Sequence, residues 1–175
     1  MGNLVSPINF KQWIDDNRHL LKPPVGNKCV WEDGDYIVMV VGGPNSRKDY
    51  HLNKTPEFFY QIEGDMILKV IDDGEPKDIS IKEGEIFLLP ANVPHSPQRF
   101  HGTVGLVIET KRSDDMLDGL QWYCENCGAK VHEESFHVAN IVTDLPVIFD
   151  KYYSNPDLCT CKNCGTKMER PLPRT

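Results

Sequence analysis

The feature that most constrains this chain is a series of short β-prone stretches between residues 28 and 110, each closed by glycine, proline, asparagine or aspartate. DYIVMVV at 35–41 is rich in β-branched residues and predicts a strand, with Gly42-Gly43-Pro44-Asn45 as its turn. EFFYQIEGDMILKVI at 57–71 predicts two strands broken near Glu63-Gly64-Asp65, and Asp72-Asp73-Gly74 a hairpin turn. ISI at 79–81, EIFLLP at 85–90 and TVGLVIE at 103–109 continue the pattern, with a proline-rich loop before the last of them. Strands this short, punctuated this often, indicate an all-β sandwich or barrel.

Other segments flank this region. Phe10, Trp13, Ile14 and Leu21 lie at helical spacing within residues 9–21, and Lys22-Pro23-Pro24 ends that helix because proline lacks the backbone donor. A short helix is expected at 144–153, before a polar tail. The expected organisation is a barrel domain with its N-terminal helix over 1–112 and a cysteine-bearing extension over 113–175. The net charge of −7, without a lysine or arginine block, argues against nucleic acid or an anionic membrane as partner. An anionic substrate must then be held by individual arginines against the overall field. No apolar run approaches a membrane span, and the polar first twenty residues do not read as a secretory signal. Met1-Gly2 with Ser6 fits the myristoylation pattern but lacks basic residues beside it, so an ordinary soluble N-terminus and a cytoplasmic protein are expected.

His51, Glu57 and His95 are the ligand-competent residues of the β region, beside its predicted strands. Imidazole and carboxylate suit first-row metals, and two histidines with one carboxylate leave positions open for substrate and O2, as in non-haem Fe(II) oxygenases. The surrounding glycines and prolines sharpen this. Gly43, then Asp49-Tyr50-His51, Glu57 and Gly64 resemble the first cupin motif; Gly84, Pro90 and His95 resemble the second. The resemblance implies a jelly-roll β-barrel. Three positions depart from the general pattern: Asp49 stands where the first histidine usually sits, Asn92 replaces a glycine, and Arg99 replaces an asparagine. Losing one histidine frees a coordination position for a chelating substrate. Asp49 is expected as a partner of an arginine or of a ligand histidine, with ligation as the alternative. In an extended chain Arg47 shares a face with His51, and Arg99 with His95, so both guanidiniums are candidates for holding a substrate carboxylate or charge on bound oxygen. Glu109, ending LVIE, is a candidate acceptor or base.

Six cysteines occur without a signal peptide, so metal ligation reads better than disulfides. Cys124-x-x-Cys127 and Cys161-x-x-Cys164 supply four thiolates as two loop pairs, each pair followed by glycine and resembling a rubredoxin knuckle. Zinc or iron fits, and the expected role is to hold the extension in place. Cys159 could compete as a ligand, Cys29 reads as a small core residue, and His132 and His137 read as ordinary polar positions.

LLKPPVGN (20–27), VVGGPN with Arg47 and Asp49-Tyr50-His51 (40–51), EFFYQIEG (57–64), LLPANVPHSPQR (88–99) and WYCENCG (122–128) together resemble the 3-hydroxyanthranilate 3,4-dioxygenase family, over nearly the whole chain. The resemblance implies opening of the 3-hydroxyanthranilate ring with both atoms of O2, on the kynurenine route of tryptophan degradation to quinolinate and NAD. It implies Fe(II) on His51, Glu57 and His95, substrate and oxygen handling by Arg47 and Arg99, contact of Glu109 with the substrate's hydroxyl or amino side, and a hydrogen-bonding place for Asn27 near the oxygen site. A homodimer is expected by analogy with cupins. Three alternatives stand beside this reading: another metal-dependent cupin enzyme, a non-catalytic cupin binding a small acid, and an interaction module built on the cysteine knuckle.

Overall fold

Residues 4, 6–23, 26–31, 34–137 and 141–172 are described in the computed structural model, without the side chains of 141–143; Met1-Gly2 and Pro24 of the sequence arguments lie outside them. The described chain runs α1 (Phe10–Asn17), β1 (Asn27–Trp31), β2 (Tyr36–Gly42), β3 (Asp49–Leu52), β4 (Glu57–Glu63), β5 (Met66–Asp72) and β6 (Glu75–Ile81). It continues with β7 (Ile86–Leu89), β8 (His95–Arg99), β9 (Val104–Thr110), β10 (Asp118–Tyr123), β11 (Lys130–Phe136), α2 (Ile141–Ser154) and α3 (Pro156–Cys159). Two antiparallel sheets form, in the orders β1-β2-β9-β4-β7 and β11-β10-β3-β8-β5-β6. This is the mostly-β, two-sheet architecture expected from the strand and turn pattern.

Period-two alternation decides what the sheets enclose. Met66, Leu68 and Val70 of β5 are buried while Lys69 between them is exposed. They meet Met39, Phe59, Ile81, Leu89 and Val107 in one apolar core. Burying each such side chain stabilises the fold by roughly 1.5–3 kcal/mol. The inward positions of β4 carry Glu57 and Gln61 on either side of Phe59, so polar groups enter the barrel with the core.

Residues expected to form one helix over 9–21 divide into α1 and a 3-10 turn at Arg18–Leu20. Asn9 caps α1 by accepting from the Gln12 backbone N–H. Ile14 and Leu21 pack on Val40 and Val104, covering part of the outer face of the five-stranded sheet.

The sequence reading missed five strands, the first of them β1. β3 and β8 place His51 and His95 inside strands rather than beside them, and β10 and β11 arise from the cysteine-bearing segment. The expected boundary near residue 113 falls between β9 and β10, and β10 hydrogen-bonds to β3. The later segment also builds its own core. Leu145, Ile148, Phe149 and Tyr152 of α2, at helical spacing, pack with Leu120, Trp122, Cys159 and Met168. Trp122 stacks on Tyr152 with ring centroids 4.1 Å apart. Among the described residues no helix is long and apolar enough to cross a membrane.

Candidate metal centre and active site

β3, β4 and β8 bring His51, Glu57 and His95 together, with one ligand atom from each lying within 4.8 Å of the others and all three residues buried. Sheet register explains the meeting: His51 and His95 are direct partners of β3 and β8. The polarity of these atoms tests whether a cation fits. The Nδ1 of His95 lies 3.0 Å from the Val93 carbonyl, which can only accept, so Nδ1 carries the proton and Nε2 presents a lone pair. That Nε2 lies 3.0 Å from Glu57 Oε2, a buried atom that has no hydrogen-bond partner. Two lone pairs at this distance repel unless a proton or metal ion lies between them. The donor set therefore fits a first-row divalent metal. Where a proton on His95 takes the place of the metal ion, burial pushes the Glu57 carboxyl up, but the charge and hydrogen bond of that histidine, with His51 and Arg112, outweigh it and hold it down at about 2.

Of the two arginines singled out by parity, Arg99 is enclosed within the barrel. It is 1% exposed, its Nη1 donates to Gln61 Oε1 at 3.2 Å, and burial lowers it to about 10. Its backbone N–H donates to Asn45 Oδ1 at 2.8 Å, which ties β8 to the loop before β3. Gly105 makes room for the guanidinium: a Cβ there would lie 2.6 Å from Nη1. Arg47 sits in that loop, not in a strand, and forms an ion pair with Asp49. It also lines a cleft of about 480 Å³ with Lys48, Tyr50 and Gln98. Asp49 thus serves an arginine, and it is not in the three-residue ligand group.

Glu109 of β9 stands opposite Glu57 of β4 and is buried. Burial and the neighbouring Glu57 charge push its carboxyl up to about 7, against the pull of Arg112. Asn27 begins β1 opposite Val41 at the edge of the five-stranded sheet, separated from β9 by β2. The sequence reading missed Asn53, Arg112 and Asp118. Asn53 Nδ2 donates to Glu109 Oε2 at 2.8 Å, Arg112 pairs with Glu109 at 2.9 Å, and Asp118 lies 2.5 Å from His51 Nε2. No sequence signal marks Asp118, which is 67 residues from His51 and reaches it only because β10 joins β3.

The second ligand group is Cys124, Cys127, Cys161 and Cys164. Its two loops are built alike. The N–H of Gly128 donates to the Cys124 carbonyl at 2.9 Å, and that of Gly165 to the Cys161 carbonyl at 2.8 Å. Both glycines have φ near +75°, at 73° and 76°, which favours glycine. The sulfurs pair across the loops at 3.6 Å, Cys124 with Cys164 and Cys127 with Cys161. A tetrahedral ion with metal–sulfur bonds of about 2.3 Å spaces its sulfurs by about 3.8 Å, so the cluster fits a bound zinc or iron. Hydrogen bonds from Thr166 and Asn126 pull the Cys164 thiol down to about 5. Cys159 belongs to the apolar core, not to this cluster, and Cys29 packs against the barrel core. His132 stacks beside Trp122 and Tyr152, and His137 is exposed.

The chain matches the 3-hydroxyanthranilic acid dioxygenase family over residues 2–153. It is 56% identical over 162 residues to the 3-hydroxyanthranilate 3,4-dioxygenase of Xanthomonas euvesicatoria pv. vesicatoria, covering 93% of this chain and 92% of that one. It is 54% identical to the enzyme of that name from Neurospora crassa, covering 93% and 89%. Among solved structures, a cupin-2 domain containing protein from Shewanella frigidimarina matches 59% of this chain and 94% of its own, at 23% identity and a TM-score of 0.48. With a family match over most of its length and relatives at this identity, the chain belongs to the 3-hydroxyanthranilic acid dioxygenase family.

Proposed function

We propose that this protein is a 3-hydroxyanthranilate 3,4-dioxygenase that opens the ring of its substrate with O2 to give 2-amino-3-carboxymuconate semialdehyde, the precursor of quinolinate. Relatives carrying that enzyme's name at 54–57% identity support the assignment. The observation that carries it is the convergence of His51, Glu57 and His95 on one buried point, with a lone pair on His95 and an unpartnered oxygen on Glu57. These three residues would hold Fe(II). Direct reaction of triplet O2 with a closed-shell ring is spin-forbidden, and the bound iron supplies the electronic path between them.

The chain's own residues then bind and prepare the substrate. Arg99, with Arg47 at the cleft side, presents guanidinium donors for the carboxylate. Glu109, near neutrality in its titration, accepts the proton of the ring hydroxyl. Asn27 is assigned a hydrogen-bonding place near the oxygen site, on its position in the PPVGN stretch alone. The charge balance supports an anionic substrate. Four carboxylates, Asp49, Glu57, Glu109 and Asp118, face three guanidiniums, Arg47, Arg99 and Arg112, among the described residues. A divalent ion reverses that excess by one charge, which a substrate carboxylate neutralises.

The four cysteines would hold a structural zinc or iron ion that ties the last loops to β10. A thiolate site with no disulfide among the described cysteines suits the reducing cytoplasm. We also infer a homodimer. Ile86 and Leu88 on edge strand β7 are 66% and 63% exposed, beside half-buried Phe58 and Tyr60 of β4. Leu88→Lys should convert the dimer to monomer in light scattering; a wild-type protein that is monomeric at working concentrations removes the inference.

The test of function is oxygen uptake by anaerobically iron-loaded protein given 3-hydroxyanthranilate. Uptake with that substrate, and none with benzoate, is expected. No uptake with the metal shown to be bound overturns the assignment.

A further inference from the structure

The barrel contains a chain of buried polar contacts that the proposed chemistry does not by itself require. Asp118 is 0% exposed. Its Oδ2 lies 2.5 Å from His51 Nε2, and the Arg112 guanidinium donates to it in a fork, Nε to Oδ1 at 3.0 Å and Nη2 to Oδ2 at 2.7 Å. The remaining terminal nitrogen of Arg112, Nη1, pairs with Glu109 Oε2 at 2.9 Å, and Asn53 donates to that same oxygen at 2.8 Å. The Arg112 side chain is 2% exposed.

We propose that Asp118, locked in place by Arg112, is the positioning residue that orients His51 toward the metal, and that Arg112 ties this ligand to Glu109. The proposal rests on reading His51, Glu57 and His95 as the metal site. An imidazole that ligates through one nitrogen must give the N–H of the other to an acceptor, or its ring rotates and its tautomer is undefined. His95 meets that need with the Val93 carbonyl, and Asp118 is the corresponding acceptor for His51. A carboxylate makes the histidine a stronger donor than a carbonyl does. A lone carboxylate at 0% exposure is costly, and the two-pronged guanidinium is what makes it tolerable. The arrangement depends on the fold. Asp118 opens β10, and the β10–β3 ladder, with Leu120 opposite His51, turns Asp118 to the same face as the histidine. The same guanidinium touches the carboxylate assigned to proton transfer, so the position of His51 and that of Glu109 are set by one rigid group.

The probe is Co(II), which does not react with O2 as Fe(II) does, titrated into the full chain after its thiolate site has been filled with zinc. Asp118→Asn should weaken Co(II) binding in the barrel by about 10- to 100-fold and change the ligand-field spectrum, with thermal stability and zinc content preserved. Should Asp118→Asn fail to fold, Arg112→Lys provides the second variant. It keeps a charge beside Asp118 but not the fork, and should weaken Co(II) binding less than loss of the carboxylate. Where both variants fold, the double variant should bind as Asp118→Asn alone does, because Arg112 acts through Asp118. His51→Ala separates the two readings. If it abolishes barrel Co(II) binding while Asp118→Asn, or Arg112→Lys in its place, binds as wild type, the positioning role is overturned and the metal site stands. If His51→Ala also binds normally, the metal site itself is wrong.

Discussion

Gly105→Ala adds one methyl group in the barrel interior, and the structure says what that methyl would meet. Its Cβ would lie 2.6 Å from Arg99 Nη1, 2.8 Å from Gln61 Oε1 and 3.1 Å from Arg99 Nη2. Non-bonded heavy atoms settle at about 3.5 Å or more, so the guanidinium must retreat by roughly 0.9 Å. It has little freedom to do so, being 1% exposed and bonded to Gln61 from the side that also closes on the new methyl. Overpacking of this kind costs about 1–3 kcal/mol. For a chain of this size that corresponds to a fall in Tm of roughly 2–12 °C. Since Arg99 is assigned to the substrate carboxylate, a shift approaching 1 Å should also lower kcat/KM by up to about 100-fold. The assays are thermal unfolding and steady-state oxygen uptake, run with and without Arg99→Met. The shorter methionine removes the colliding atoms, so the stability penalty of Gly105→Ala should largely vanish in that background. Wild-type Tm and kcat/KM for Gly105→Ala would show that Arg99 is not held where the structure puts it. An equal penalty in both backgrounds would show that the clash is not with Arg99.

Three other outcomes are expected. Glu109→Gln preserves shape but not basicity, and should lower kcat by about 10²–10⁴-fold with a smaller change in KM; unchanged turnover removes Glu109 as the base. Cys161→Ser should release the thiolate-bound metal and lower thermal stability, while barrel metal content stays unchanged; a stable variant that loses only ring cleavage would assign the cluster to chemistry instead. Arg18→Met breaks the ion pair with Glu63 that fastens the helical segment to β4, a half-exposed pair for which a cost under about 1 kcal/mol is expected. Arg18 holds the Glu63 carboxyl below the usual range, so this contribution is present above the unfolded glutamate value of about 4.3 and is lost as pH falls through the folded value. Denaturant midpoints of the two proteins should therefore converge in acid; a difference that persists there refutes the electrostatic origin.

How much of this molecule was legible before folding depends on what each strand packs against. β2, β4, β5, β7 and β9 face the apolar core, so their alternation and the turns between them appear directly in the residue order. β3 and β8 read DYHL and HSPQR, and their inward positions carry site residues in place of core residues. Hydrophobic period reports what is buried against oil, and strands that bury ligands give it nothing to detect. β10 and β11 were hidden for a related reason, since the paired cysteines drew the whole segment into a loop reading. The grouping of the four cysteines was legible from residue type and local spacing, and that of His51, Glu57 and His95 from the flanking glycines and prolines that resemble the cupin motifs; the structure brings each set together as a group that could hold a metal. What only the tertiary structure decided is the company those residues keep. Arg99 is enclosed because Gly105 and Gln61 on other strands shape its pocket. His51 meets Asp118 across 67 residues because β10 adds itself to β3, which brings the locally formed Glu109–Arg112–Asp118 group to the histidine. Local pattern sets which residues can ligate, and the Glu109–Arg112–Asp118 contacts lie within one ten-residue stretch, but the contacts of His51 with Asp118, Glu109 with Asn53 and Arg99 with Gln61 join distant segments, and no short window of sequence contains them.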